Sequence, residues 1–224
     1  MLKQVWNDPA MPVAWGQNKP GMQAATDLKG FRLGLAKGAW VLGAKVACGL
    51  AWAMGKIGLH KQVANRILET WQFTHVVVSG TEWENFFNLR DHSMAQPEIQ
   101  VLARAMKSAM QNSTPKLLQE DEWHLPYVTA LDFDNFGLEI CKKLSTARCA
   151  RVSYLTHDKK VPDVKKDVKL HEDLVGSSPI HATPTEHQAT PSGDVFSHKN
   201  LVGWIPYRQE VEDKIYREAN GVFD

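Results

Sequence analysis

The first sustained pattern in the chain is an apolar repeat running from about Ala24 to Lys56. Leu28, Phe31, Leu35, Trp40, Val46, Leu50, Met54 and Ile57 recur at three- to four-residue steps, a spacing that predicts a long helix. Gly30, Gly34 and Gly38 fall four apart on one stripe of it. Each glycine costs about 1 kcal/mol against alanine inside a helix, so the stripe implies close approach of another backbone or a break. Residues 1–23 are punctuated by Pro9, Pro12, Gly16, Pro20 and Gly21 and read as an irregular lead-in. Gly58 is a helix stop, and Leu59, Val63 and Ile67 predict a second helix across LHKQVANRILE. Thr74 to Ser79, THVVVS, is β-branched and apolar and predicts a strand. Ser79 and Glu82 are spaced as a capping box before Trp83 and Phe86, which predicts a helix from Gly80 or Thr81 to about Arg90.

Pro97 suits a first helical turn. Ile99, Leu102, Ala103, Met106 and Met110 then form an amphipathic stripe ending near Asn112. Residues 113–137 read as loop-rich, and short helices are predicted over 138–150 and 164–175. From Gly176 to Asn200 prolines, glycines and histidines stand with little periodicity, which predicts one long loop, functional or disordered. Leu201 to Tyr207 reads as a short edge strand, because Pro206 would interrupt a central one. A polar helix is predicted from Glu210 to Ala219.

At 224 residues the chain is long enough for one sizeable core. A formal net charge of +1 gives no electrostatic reason to expect nucleic acid or an anionic membrane as partner. Cys48, Cys141 and Cys149 are too sparse for a disulfide scaffold or a paired-cysteine metal site, and fit buried thiols in a reducing compartment. No apolar signal-peptide core is visible at the N-terminus. The charge-free run Val46–Gly55 falls short of the roughly 20 residues of a membrane span, so a core segment and a cytoplasmic protein are expected.

The candidate chemistry centres on residues 81–90. Glu82, Asn85 and Leu89 share a helical face, while Trp83, Phe86 and Phe87 can anchor the helix. Arg90 follows at the end, where a guanidinium can grip phosphate bidentately. The plainer alternative is a solvated face with Arg90 on the helix C-terminal dipole. His181, His187 and His198 with Glu186 are conceivable zinc ligands, but their spacing matches no compact ligand motif.

The run N-F-F-N-L-R, four further residues, then A-Q-P-E-I resembles a block of the flavin-dependent thymidylate synthases (the ThyX family). Two further segments, ARVSY at Ala150–Tyr154 and HATPTEH at His181–His187, resemble that family's other motifs, with Thr185 where phenylalanine is usual. GLHKQVANRILE resembles the family helix that ends in a substrate arginine, with Thr70 where proline is usual. The resemblance implies Arg66 and Arg90 for dUMP, and Asn85, Leu89, Ser153, His181, Thr183 and Glu186 for the flavin and folate region. It implies an α/β fold of the α+β type: a helix-rich single domain over 1–224 with a small, mostly antiparallel sheet. It further implies FAD as cofactor, NADPH and methylenetetrahydrofolate as co-substrates, dUMP as substrate and a homotetramer with FAD at subunit interfaces, with no nucleic acid and no membrane as partners. The family uses no cysteine nucleophile.

Two departures accompany these matches. ARVSY and HATPTEH follow the Arg90 block, whereas in the common family order they precede it, so the chain resembles a rearranged branch. The family's Arg-His-Arg-x-x-Ser motif is absent, and the nearest string, Trp204 to Arg208, offers one arginine and no following serine. In the rearranged order that motif is expected upstream of Met1, on a longer chain or a separate N-terminal polypeptide. The alternatives are an inactive fragment on the same scaffold and a ligand-binding or interaction protein.

Overall fold

A computed structural model describes residues 1–20, 24, 26–152 and 163–221. The chain divides into two compact units, Met1–Thr74 with Glu84–Ser113, and His75–Trp83 with Thr114–Asp224. The described residues are helix-rich, with strands only in small antiparallel pairs, an α+β composition.

In the first unit a short helix, α1 (Leu2–Asn7), packs on the long helix α2 (Gly30–Lys56). The helix starts later than its apolar repeat predicts and runs without a break. Its core contribution is a narrow stripe of small residues, Ala44, Ala47, Cys48 and Ala51, gathered with Val5 and Leu68. Phe31, Leu35, Leu42, Val46, Leu50 and Trp52 stay exposed, so only part of the expected core segment is core. A Cβ added at Gly34 or Gly38 would meet nothing within 4 Å, whereas one at Gly43 would come 3.2 Å from the Trp71 ring. Close approach therefore occurs at Gly43, where Trp71 stacks edge-on to Trp40, and not along the predicted glycine stripe. By length and composition alone α2 is apolar enough to cross a membrane, a test that a soluble core helix or a signal sequence also passes.

The predicted second helix forms as α3 (Lys61–Ala64), tightening into a 3-10 turn over Asn65–Trp71. The predicted strand at 74–79 does not form; the segment pairs with no strand among the described residues, and Val76 and Val78 are exposed. β-propensity expresses itself only against a neighbouring strand. The following helix, α4 (Glu84–Arg90), begins later than predicted. The Ser79 hydroxyl is engaged by His187 (3.1 Å) instead of capping, and the Trp83 indole donates to the Gly80 carbonyl (2.8 Å). Helix α5 (Pro97–Gln111) follows, and Asp91 at the end of α4 accepts from its Arg104 (2.9 Å) and Lys107 (3.4 Å).

The second unit is built on α6 (Ala130–Ala150) and α7 (Val164–Val175). Sequence periodicity finds only the second half of α6. Its first half is opened by a Thr129–Asp132 capping box and meets the second at Gly137, whose φ of 69° kinks the helix. A positive φ is glycine's natural territory. Residues 176–200, expected as one long loop, contain a 3-10 turn at Thr183–Glu186 and two strands, β1 (Ala189–Pro191) and β2 (Ser197–His198). β2 forms a hairpin with β3 (Leu201–Val202), and β1 pairs antiparallel with β4 (Trp204–Pro206), Thr190 opposite Ile205. These runs are too short to display a period in sequence. Gly203, at φ 72°, divides the predicted 201–207 strand in two, and α8 (Tyr207–Ala219) starts directly after Pro206. Cys141, Leu144, Ala147 and Cys149 of α6 are buried, as are Ala182, Ala189 and Tyr207.

Candidate functional site

The sequence-predicted residues fall in both units. Asn85, Leu89 and Arg90 lie on α4, and Arg66 on the 3-10 turn that continues α3. His181, Thr183 and Glu186 belong to the second unit, and Ser153 lies outside the described residues.

On α4 the polar stripe predicted from spacing is present from Asn85 onward. Phe86 and Phe87 are half-buried, their rings edge to face at 5.5 Å between centroids, while Asn85, Leu89 and Arg90 are exposed. Glu82, expected on the same face, precedes the helix and is not part of it. Arg90 has no ion-pair partner among the described residues. The neighbouring Asp91 is already taken by Arg104 and Lys107, contacts that hold its carboxyl below the usual carboxylate range, the Arg104 hydrogen bond foremost. The end of α4 therefore keeps an excess of positive charge, which an anion can neutralise. Arg66 is likewise exposed and unpaired among the described residues. No hydrogen bond links it to α4 among them.

The second location is the turn Thr183–Glu186. Its inner positions are fixed one by one. Thr185 is fully buried and donates its hydroxyl to the Ala182 carbonyl (2.6 Å). The buried Gln188 amide donates to the Pro184 carbonyl (3.0 Å) and the Thr146 hydroxyl (3.2 Å), tying the turn to α6. Desolvation holds the half-buried His187 ring below its ordinary pKa, so it meets Ser79 as neutral imidazole. Glu186 is gripped by the Arg208 guanidinium. With these positions anchored, His181 and Thr183 are the exposed members of the motif. Such a turn can hold polar groups toward a ligand at little ordering cost.

No metal centre emerges: among the described residues no group of three or more His, Cys, Asp or Glu is placed to hold an ion. His198 instead faces Asp194 at 3.1 Å. The thiols carry no nucleophile signature, since burial pushes Cys149 up to about 11, and a thiol raised in this way stays protonated at neutral pH. Sequence spacing missed Ser79, Gln188 and Arg208, whose partners lie 108, 42 and 22 residues away. Comparison with known proteins returned nothing: no protein-family model, no curated protein and no solved structure matches the chain.

Proposed function

We propose that the chain is a flavin-dependent thymidylate synthase of rearranged element order, or a large part of one. It would methylate dUMP to dTMP with methylenetetrahydrofolate, using FAD as cofactor and NADPH as reductant. The observation that carries this is α4: Asn85, Leu89 and Arg90 are exposed on a helix whose two phenylalanines are turned inward. That is the disposition a ligand-facing helix requires, and these are the residues that the family resemblance assigns to flavin and uridylate.

In this proposal Arg90 and Arg66 neutralise and orient dUMP, and Asn85 and Leu89 border the flavin. Charge-assisted hydrogen bonds from guanidinium to phosphate or to a uracil oxygen provide the binding energy. The turn bearing His181, Thr183 and Glu186 supplies further polar contacts to flavin or folate, with Ser153 assigned by resemblance alone. FAD, when bound, carries the redox chemistry; these side chains bind and orient it. The ThyX-like fold and the homotetramer belong to the same proposal.

Flavin absorbance in purified protein, or after addition of FAD, is the first expected result. The second is tritium release from dUMP labelled at its C5 position, in the presence of FAD, NADPH and methylenetetrahydrofolate. It should appear with the chain alone or combined with a polypeptide carrying the Arg-His-Arg-x-x-Ser motif. No release under either condition overturns the enzyme. Arg90→Ala should weaken dUMP binding by about tenfold or more, the worth of a charge-assisted hydrogen bond. Unchanged binding would remove Arg90 from the substrate site.

A further inference from the structure

We propose that Arg208 is a positioning residue for Glu186, orienting the carboxylate that the turn Thr183–Glu186 presents to the flavin. The inference rests on the flavin-site proposal above, and the residue comes from the Trp204–Arg208 string that matches no family motif.

Arg208 is the second residue of α8, immediately after the strand that pairs with β1. Its Nε donates to Glu212 one turn later (2.6 Å), and Lys199 from the β2–β3 hairpin donates to the other oxygen of Glu212 (2.6 Å). Glu212 is thereby held from two sides and fixes the plane of the guanidinium. Held in that plane, Arg208 offers Nη1 to Oε1 of Glu186. Both side chains are largely sheltered, Arg208 at 33% and Glu186 at 24% exposure. Such a pair resists solvent screening better than an open surface contact.

Two consequences follow for a ligand. Among the described residues Oε2 of Glu186 and Nη2 of Arg208 have no partner, so Glu186 can accept from a flavin hydroxyl or N–H while its other oxygen is clamped. Arg208 also offsets the charge of Glu186. An uncompensated carboxylate beside the turn would repel the diphosphate of FAD; with Arg208 and Lys199 against Glu186 and Glu212 the cluster is neutral. The rigid, planar fork of arginine suits two carboxylates at once, which lysine cannot do as well.

The test is FAD titration, followed by quenching of flavin fluorescence and by the visible spectrum. The proteins are wild type, Arg208→Gln, Glu186→Gln and the double variant, each checked for folding by circular dichroism. Arg208→Gln is expected to weaken FAD binding about tenfold when Glu186 is present and less than about twofold when it is Gln, the coupling expected of residues acting through one contact. Arg208→Lys should recover part of the loss. Equal weakening in both backgrounds means a structural role and overturns the proposal, as does unchanged binding in Arg208→Gln. If Arg208→Gln does not fold, Arg208→Lys taken through the same cycle decides the question. Wild-type protein that binds no FAD removes the flavin site itself and Arg208 with it. Wild-type binding with an additive cycle removes only the role of Arg208.

Discussion

The two long helices of the chain differ in whether they bury polar side chains. Helix α2 buries Ala44, Ala47, Cys48 and Ala51 and leaves Leu42, Val46, Leu50 and Trp52 exposed. Helix α6 buries Lys142, Ser145, Thr146 and Arg148 beside Cys141, Leu144, Ala147 and Cys149. The difference lies in what surrounds each helix. Arg148 is met by Asp132 and Asp167; Ser145 donates to the Pro126 carbonyl (2.8 Å); Lys142 reaches Glu139 and Glu210 and sits 4.1 Å above the Trp123 ring. A buried polar group is tolerated once its hydrogen bonds are replaced. In its own unit α2 is flanked mainly by α1, α3 and the 3-10 turn after it, which cover one narrow stripe. Apolar character alone therefore does not decide what is buried. The partners within reach of each position do.

The sharpest way to break this comparison is to remove a partner from α6. Arg148 is 4% exposed and faces Asp167 at 0% and Asp132 at 16%. Arg148→Met should destabilise the protein by about 3–5 kcal/mol, because it removes the guanidinium that Asp132 and Asp167 share and leaves the buried Asp167 to Arg151 alone. Urea unfolding followed by circular dichroism reads the loss, and a change below about 1 kcal/mol would show that the pairs contribute little. Next in size is the apolar core of the first unit, where Leu68 is fully buried. Leu68→Ala should cost about 2–5 kcal/mol, the range for a cavity in a packed core, read in the same way.

A third test uses pH. The His171 ring is buried, stacks on Tyr207 and hydrogen-bonds its hydroxyl through Nε2 (3.3 Å), while Nδ1 has no partner among the described residues. Desolvation, reinforced by Lys143, pulls its pKa from 6.5 to about 4. The unfolded chain then binds the proton first, so this contribution to stability is complete above about 6.5 and is lost as pH falls toward about 4. Denaturation midpoints should drop between pH 7 and pH 4.5, and His171→Phe should flatten part of that slope. Burial lowers His124 and His187 in the same direction, so the slope should not vanish. An unchanged slope in His171→Phe would mean the ring is hydrated in the folded protein.

Sequence periodicity was informative where an element carries its own signal. The regular stripe of α5, the helix over 164–175 and the face of α4 from Asn85 onward were all legible. It failed where structure is decided by partners distant in sequence. The THVVVS run has strand chemistry but finds no strand to pair with. Ser79 has capping chemistry, but His187 takes its hydroxyl. The β1–β4 pair spans three residues on each side, too few for alternation to show. For the candidate site, helical spacing supplied the Asn85–Arg90 face, and the family resemblance supplied the His181–Glu186 turn. What fixes that turn is contributed by Ser79, Gln188 and Arg208, which no local pattern connects to it.

The smallest predicted effect bears most directly on α2. Leu50 is 57% exposed, and an exposed leucine truncated to alanine removes little that folding had withdrawn from water. Leu50→Ala should therefore stay within about 0.5 kcal/mol of wild type in urea unfolding at low protein concentration. Alanine's helix propensity slightly exceeds that of leucine, so a marginal gain is as acceptable as a marginal loss. A loss of about 2 kcal/mol would mean that Leu50 is packed as fully as Leu68. The contrast between a helix covered on one stripe and the second half of α6, covered nearly all round over 141–149, would then fail, because α2 would be burying its large side chains just as α6 buries its polar ones.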